Sequence, residues 1–295
     1  MEKLVFYIVD VLAEEKYAGN QLGVLRHGNN LSDAEMQRIA KEVNYSETTF
    51  ILAEEERDGG YDVRIFTPEA ELPFAGHPTL GTAYVIQQEI IGDPVETVVL
   101  NLKVGQIPVS FNYSEGKVDI LWMKQKPPVF MRTLDKSKVS KMLNVEENDI
   151  DDRFSVQEVS TGIPSIIVPL KTLDAVKRSR IAQDIYLDLI EDTEAKAVLI
   201  FCAETYSGEN NLNVRMFADY YGVPEDPATG SANGCLAGYL VKHRYFGKDR
   251  IDIRVEQGYE IGRPSLLYLR AEDKEDEISV SVGGKAVMVA KGEFL

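Results

Sequence analysis

The feature that most constrains this chain is that it carries one pattern twice. YDVRIFTPEAELPFAGHPTLGTAYV contains Val63, Arg64, Phe66 and Pro73, and LNVRMFADYYGVPEDPATGSANGCLAGYLVKH contains Val214, Arg215, Phe217 and Pro224, at a constant spacing of 151. Both segments run in the same order: a strand, an acidic loop, a Pro- and Gly-containing turn, then an apolar helix. A spacing near half of the 295 residues predicts two copies of one α/β unit rather than a solenoid, whose repeats are short and many. Length agrees, since domains usually hold roughly 100–200 residues and each half can bury its own core. The KQKPPV stretch at residues 124–129 is the expected linker, because successive prolines extend the chain and end sheet pairing.

Local signals fill in each half. VFYIVDVLA reads as a strand, and AGNQLGVL as a glycine-punctuated turn into a second. Ser32 and Glu35 form a capping box, Leu31 and Met36 sit at staple positions, and Met36, Ile39, Ala40 and Val43 recur at helical spacing up to Asn44. SETTFILA and YDVRIFTP are β-branched segments on either side of EEERDGG, a hairpin signal. HPTLGTAYVIQQEI reads as a helix with Pro78 in its first turn. TVVLNLKVG, QIPVSF and KVDILWMKQ are strands. Beyond the linker come a helix over SKVSKMLNV, a strand at SIIVPL, one longer helix across residues 175–190 and the strand AVLIFCAE. AEDKEDE is a charged turn before the strand-like EISVSVGGKAVMVAKGEF.

Composition excludes more than it names. With 32 Lys+Arg against 48 Asp+Glu the net charge is −16, which argues against nucleic acid or an anionic membrane as partner. A small anion can still be held by local backbone amides. Cys202 and Cys235 form neither a disulfide framework nor a metal cluster. There is no apolar run of about 18 residues and no signal-peptide pattern, so a soluble, cytoplasmic protein is expected.

The repeated helix starts are the first candidates for chemistry. AGHPTLG and DPATGSA each place Gly, Pro and a small hydroxyl residue where unpaired N–H groups and a partial positive charge suit a carboxylate or phosphate. The plainer alternative is that Asp226 is an N-cap with Pro227 at the first helical position. His77, one of three histidines with His27 and His243, lies inside the first helix start. His27 falls in a polar turn and His243 at a helix end, where a cation suits the dipole. A capping or packing role for His77 is the alternative. Glu47, in NYSETTF, stands where a helix gives way to a strand entering the core. If partly desolvated it has a raised pKa and serves as base and then acid at neutral pH, whereas as surface filler it needs no explanation. No G-x-S-x-G, Walker loop, Rossmann fingerprint or metal-spaced His/Cys set is present.

VDVLAEEKYAGNQLGV, MQRIAKEVNYSETTF, DVRIFTPEAELPFAGHPTLGTA, STGIPSIIVPL, VRMFADYYGVPEDPATGSANGCLAGYL and EQGYEIGRPS together resemble the phenazine-biosynthesis PhzF family, from about residue 9 to 265. The resemblance implies an α+β protein with the diaminopimelate-epimerase-like fold: two pseudo-symmetric α/β domains, each a curved mixed sheet around a central helix. The expected domains are residues 1–125, completed by a strand from 281–295, and residues 126–280, with the active site in the cleft between them. By resemblance Glu47 is the catalytic glutamate, and His77 and Asp226 are the polar pair that helps to shuttle protons. Gly76, Gly230 and Ser231 would hold a substrate carboxylate, and Asn20 and Ser46 line the pocket. Gln21 departs from the family's usual proline at that edge. The family also implies no metal or other cofactor and a homodimer.

The implied reaction is a proton shift on a small cyclic or unsaturated carboxylate, which one dry, basic carboxylate can perform alone. A different class of reading is a carboxylate-binding protein that kept the fold without turnover. A two-thiol racemase is disfavoured, because neither cysteine lies in the AGHP or DPAT loop.

Overall fold

A computed structural model of the chain describes residues 3–274 and 276–294, so the ends and Glu275, in the middle of the expected charged turn, lie outside the described residues. The fold is mixed α/β and mostly sheet. It divides into two compact units, Met1–Met123 with Gly283–Leu295, and Lys124–Val282. No helix is long and apolar enough to cross a membrane among the described residues.

The first unit contains strands β1 (Leu4–Val11), β2 (Asn20–Arg26), β3 (Glu47–Ile51), β4 (Tyr61–Phe66), the short β5 (Glu71–Leu72), β6 (Thr97–Leu102), β7 (Gly105–Ser114) and β8 (Lys117–Lys124). Its helices are α1 (Asp33–Val43) and α2 (Gly76–Ile86). The last strand of the chain, Ala286–Phe294, pairs antiparallel with β1. From there the order is β1, β2, β3, β4, β6, β7, with senses antiparallel, parallel, antiparallel, parallel and antiparallel.

The second unit repeats this plan. It contains β9 (Val129–Thr133), β10 (Gln157–Ser160), β11 (Pro164–Pro169), β12 (Ala197–Cys202), β13 (Leu212–Ala218), β14 (Val223–Asp226), β15 (Arg250–Gln257) and β16 (Ser265–Asp273). Helices α3 (Lys136–Leu143), α4 (Leu173–Arg178), α5 (Gln183–Glu191) and α6 (Gly230–Lys242) belong to it. Strand β9 pairs antiparallel with β10. Then β10, β11, β12, β13, β15 and β16 follow with the same five senses. The registers match as well: Thr48 lies opposite Phe66 in one unit and Val198 opposite Phe217 in the other.

Each unit is built around one buried helix. Nearly every residue of α2 from His77 to Ile86 is buried, and α6 is buried from Ala232 to Val241. A helix without a polar face has no stable place at a surface. The sheet must therefore curve around it, and α2 touches β1, β2, β3, β6 and β7. Small residues permit the approach: a Cβ on Gly81 would stand 2.6 Å from side-chain carbons of both Leu22 and Val11. On the outer face of the first sheet, α1 starts at the Ser32/Glu35 capping box and ends at Asn44 in the left-handed conformation. Its buried Met36 and Ala40 pack with Leu25, Phe50 and Phe66, and Leu31 rests against them. The corresponding cluster of the second unit takes side chains from α3, α4 and α5.

The single helix expected across residues 175–190 is instead two, α4 and α5. Periodicity does not reveal the break because its cause is tertiary. The guanidinium of Arg215 donates to the carbonyls of Val176, Lys177 and Ser179, satisfying the C-terminal end of α4. The amides of Arg180 and Ala182 bond to Leu143 and Met142 at the end of α3.

The repeated arginines have the same task. Arg64 forks onto Glu71 at 2.8 and 2.7 Å, and Arg215 onto Glu225 at 2.9 and 2.7 Å. Each also lies over the phenylalanine two residues on, Phe66 or Phe217. Both forks tie an inner strand of the sheet, β4 or β13, to the short strand that precedes the central helix, β5 or β14. Their surroundings differ, since the Arg215 side chain is 4% exposed and the Arg64 side chain 21%. Arg64 has a second carboxylate in Asp33. We therefore expect Glu225→Gln to cost about 3 kcal/mol, because it strands a buried charge. Glu71→Gln should cost about 1 kcal/mol. The midpoints of urea unfolding for the two variants measure the difference, and equal losses would contradict it.

Candidate active site

In the first unit, Glu47 opens β3 and shares a strand face with Thr49 and Ile51, because side chains alternate. That face looks at α2, where the Thr49 and Thr82 hydroxyls meet at 2.8 Å. At the same end, Glu47 Oε2 lies 3.4 Å from His77 Nε2. The parallel register sets Leu22 beside Glu47. Asn20 and Gln21 of β2 thus precede the carboxylate on the neighbouring strand, and Ser46 precedes it on its own. Asn20 is buried and Ser46 half-buried.

The contact between Glu47 and His77 has the spacing of an ion pair, yet the imidazole is not charged at neutral pH. Complete burial pushes its pKa down to about 3, against a hydrogen bond to the Gln21 main chain that acts the other way. A bond that favours the protonated ring is one in which the ring donates. Nε2 has no hydrogen-bond partner among the described residues, so Nδ1–H is the donor and the Nε2 lone pair faces Glu47. Sequence reasoning treated Gln21 as a departure at the pocket edge. Its main chain orients the histidine, which any residue with a backbone carbonyl can do.

The start of α2 is open. Ala75 is the N-cap and supplies no side-chain hydrogen bond. Pro78 has no N–H to satisfy, which leaves the Gly76 and His77 amides as the donors of this turn.

In the second unit, Asp226 ends β14, and α6 begins four residues later at Gly230 with Thr229 as N-cap. The alternative reading of Asp226 as cap before Pro227 is thereby corrected. The Thr229 hydroxyl makes no capping bond but donates to Asp226 Oδ2. Gln257, at the end of β15 and fully buried, holds this turn by its side-chain amide. It receives from Thr229 N–H and Asn233 Nδ2, and it donates to the Asp226 carbonyl. Gly258 follows with φ of 78° where a Cβ would stand 2.6 Å from the Pro227 carbonyl oxygen, so only glycine fits. Gly230 is buried and Ser231 half-buried in the uncapped first turn of α6.

The structure thus groups Asn20, Ser46, Glu47, Gly76 and His77 in one unit, and Asp226, Gly230 and Ser231 in the other. Sequence reasoning missed Gln257, Asn233 and Thr229, although all three stand inside motifs that carried the family resemblance. The remaining candidates are structural. Cys202 is buried, and burial pushes its thiol up to about 12. Cys235, also buried, lies against Thr161 and the Ile163 carbonyl, with its pKa likewise raised by burial. A buried thiol held protonated is a poor base, which weighs against a two-thiol racemase. His243 does end a helix, but burial lowers its pKa and its ring meets Gln157 Oε1 at 2.8 Å, so it is not the expected cation. His27 adjoins Glu54 at 3.4 Å.

Known proteins align with this chain along its whole length. The family model of phenazine biosynthesis-like proteins, PhzC-PhzF, matches residues 9–292. An uncharacterized isomerase of Clostridium acetobutylicum is 32% identical, covering 100% of this chain and 99% of its own. The trans-2,3-dihydro-3-hydroxyanthranilate isomerase of Pseudomonas aeruginosa is 33% identical, covering 97% of this chain and 98% of its own. Among solved structures, a phenazine biosynthesis protein of the PhzF family from Bacillus anthracis superposes with a TM-score of 0.91 at 26% identity, covering 100% of both chains.

The burial of His77 has a measurable consequence. Its folded pKa, about 3, lies below the ordinary value of 6.5, so the unfolded chain binds the proton first. The contribution is whole above pH 6.5 and is lost as pH falls from there toward 3, at up to about 1.4 kcal/mol per pH unit. In urea titrations at pH 7, 6 and 5, the native protein should lose stability more steeply than His77→Gln. Parallel curves would mean that the ring is not held neutral.

Proposed function

Starting from the premise that this chain belongs to the PhzC-PhzF family of phenazine biosynthesis-like proteins, we propose that it is an isomerase that moves a proton on a small cyclic or unsaturated carboxylate. Glu47 takes the proton from carbon and returns it elsewhere on the same face. His77 and Asp226 are its supporting polar groups. Gly76, Gly230 and Ser231 hold the substrate carboxylate through helix-start amides and a hydroxyl, and Asn20 and Ser46 are further substrate contacts.

The observation that carries this reading is the contact of 3.4 Å between Glu47 and a buried, neutral His77. An imidazolium at that distance would lock the carboxylate into an ion pair and weaken it as a base. A neutral ring positions Glu47 without doing so, and its Nε2 lone pair accepts a hydrogen bond whenever the carboxyl is protonated. The first half of the cycle leaves Glu47 in that state. The residues around the carboxylate therefore suit both of its forms, which a group that alternates between base and acid requires. A proton shift of this kind involves no change of oxidation state, so the reading calls for no redox cofactor. Fixing the substrate by its own carboxylate turns the step into an effectively intramolecular one.

The substrate named for the Pseudomonas relative, trans-2,3-dihydro-3-hydroxyanthranilate, is the first compound to test. In D₂O the native protein should isomerise it, or a related unsaturated cyclic carboxylate, with solvent exchange at carbon, and Glu47→Gln should lower the rate about 10³-fold. Equal rates in both proteins would remove Glu47 from the chemistry. Binding without turnover or exchange would favour the carboxylate-binding alternative.

A second expectation follows from the net charge of −16. An anionic substrate approaches against the average field, so raising salt should leave kcat/KM unchanged or increase it. A steep fall of kcat/KM between low and physiological ionic strength would mean attraction by a cationic surface instead.

A further inference from the structure

We propose that Gln257 is a positioning residue that fixes Asp226 as a hydrogen-bond acceptor and keeps the start of α6 uncapped. The inference rests on the role proposed for the Asp226 turn, but its geometry stands independently. The orientation of the Gln257 amide is set by its neighbours. Its Oε1 meets two donors, Thr229 N–H at 3.2 Å and Asn233 Nδ2 at 2.8 Å. Asn233 Nδ2 also donates to the Thr229 carbonyl at 3.0 Å, so that amide is oriented too. With Oε1 assigned, Nε2 of Gln257 donates to the Asp226 carbonyl at 2.8 Å and to Thr229 Oγ1 at 3.1 Å.

Direction follows from this inventory. An amide N–H₂ only donates, so the Thr229 oxygen is an acceptor toward Gln257 and its single proton must go elsewhere. It goes to Asp226 Oδ2. The relay thus runs one way, from Gln257 through Thr229 to Asp226. Stabilising the charged form lowers the acidity constant's pH midpoint. A threonine at an N-cap would otherwise turn its hydroxyl onto an amide of the first turn. Here it makes no such bond, and the hydroxyl is held by the relay. One buried glutamine therefore both fixes the carboxylate as an acceptor and leaves the helix start open.

The other charges near Asp226 are committed to partners. Glu225, its neighbour in β14, is forked to Arg215, with Glu260 at 4.0 Å from the same guanidinium. Glu256, beside Gln257 in β15, accepts the amides of Tyr206 and Ser207. Arg263 meets the turn after Gly258 through its main-chain N–H and carbonyl.

The test is carbon-13 NMR titration of the Asp226 carboxyl in the ligand-free full chain, assigned by its disappearance in Asp226→Asn. Thr229→Val removes the relay hydroxyl. Gln257→Glu replaces its donor by an acceptor, so that the hydroxyl turns away from Asp226. Both should raise the Asp226 midpoint by about one pH unit or more, whereas Thr229→Ser, which restores the hydroxyl, should titrate like the native protein. Native midpoints in Thr229→Val would overturn the proposal, as would an equal shift in Thr229→Ser. A native midpoint in Thr229→Val overturns the proposal even if Gln257→Glu fails to fold. None of these readouts needs turnover, so a native protein that shows no exchange at carbon would refute the proposed function while leaving this inference to its own result.

Discussion

Complete burial of one helix in each unit is the constraint from which the rest follows. A helix that is apolar all round can satisfy its side chains only inside a sheet that bends around it. The sheet that bends around it is mixed, and both units use the same succession of senses. The glycines of α2 and α6 record how close the packing is. A Cβ on Gly238 would stand 2.7 Å from Pro128, and one on Gly81 2.6 Å from Leu22. Burying the helix also brings its first turn to the strand ends, where its amides cannot all be satisfied internally.

The same desolvation governs the chemistry of the polar groups. It holds His77 neutral beside Glu47 and holds the Cys202 and Cys235 thiols protonated. It also separates the paired arginines from ordinary surface ion pairs, since a guanidinium in a dry setting needs every donor matched. Arg215 directs its donors to one carboxylate and three helix-end carbonyls. Arg64, nearer to water, manages with two carboxylates. A single sequence signal, Val-Arg-x-Phe, therefore marks two sites of unequal energetic weight.

Much of this was legible in the sequence because the signals are local. The capping box of Ser32 and Glu35, the strand at SETTF and the apolar helices after AGHP and DPAT each depend on residues within one turn or one strand. The mixed α/β fold and the family were recoverable from the same motifs. What could not be read were effects carried by partners far along the chain. The break between α4 and α5 depends on Arg215, some 36 residues beyond Ser179. The place of Asp226 outside α6 depends on Gln257, 31 residues away. The neutrality of His77 depends on how much protein surrounds it, and no spacing encodes that. His243 shows the converse error: the dipole argument for a cation there is sound, but burial outweighs it.

The matched registers carry a further consequence. Because Thr48 and Val198 occupy equivalent places, so do Glu47 and Ala197, and at the helix starts Gly76 corresponds to Gly230 and His77 to Ser231. The two copies have kept the arginine fork and the glycine but not the carboxylate or the imidazole. Redundancy in this chain is therefore architectural and not chemical. Each fork serves its own unit, whereas Glu47 and His77 have no counterpart of their kind in the second. The asymmetry of the molecule therefore lies in its side chains and not in its frame: strands, forks and helix-start glycines are shared, while the carboxylate and the imidazole belong to one unit alone.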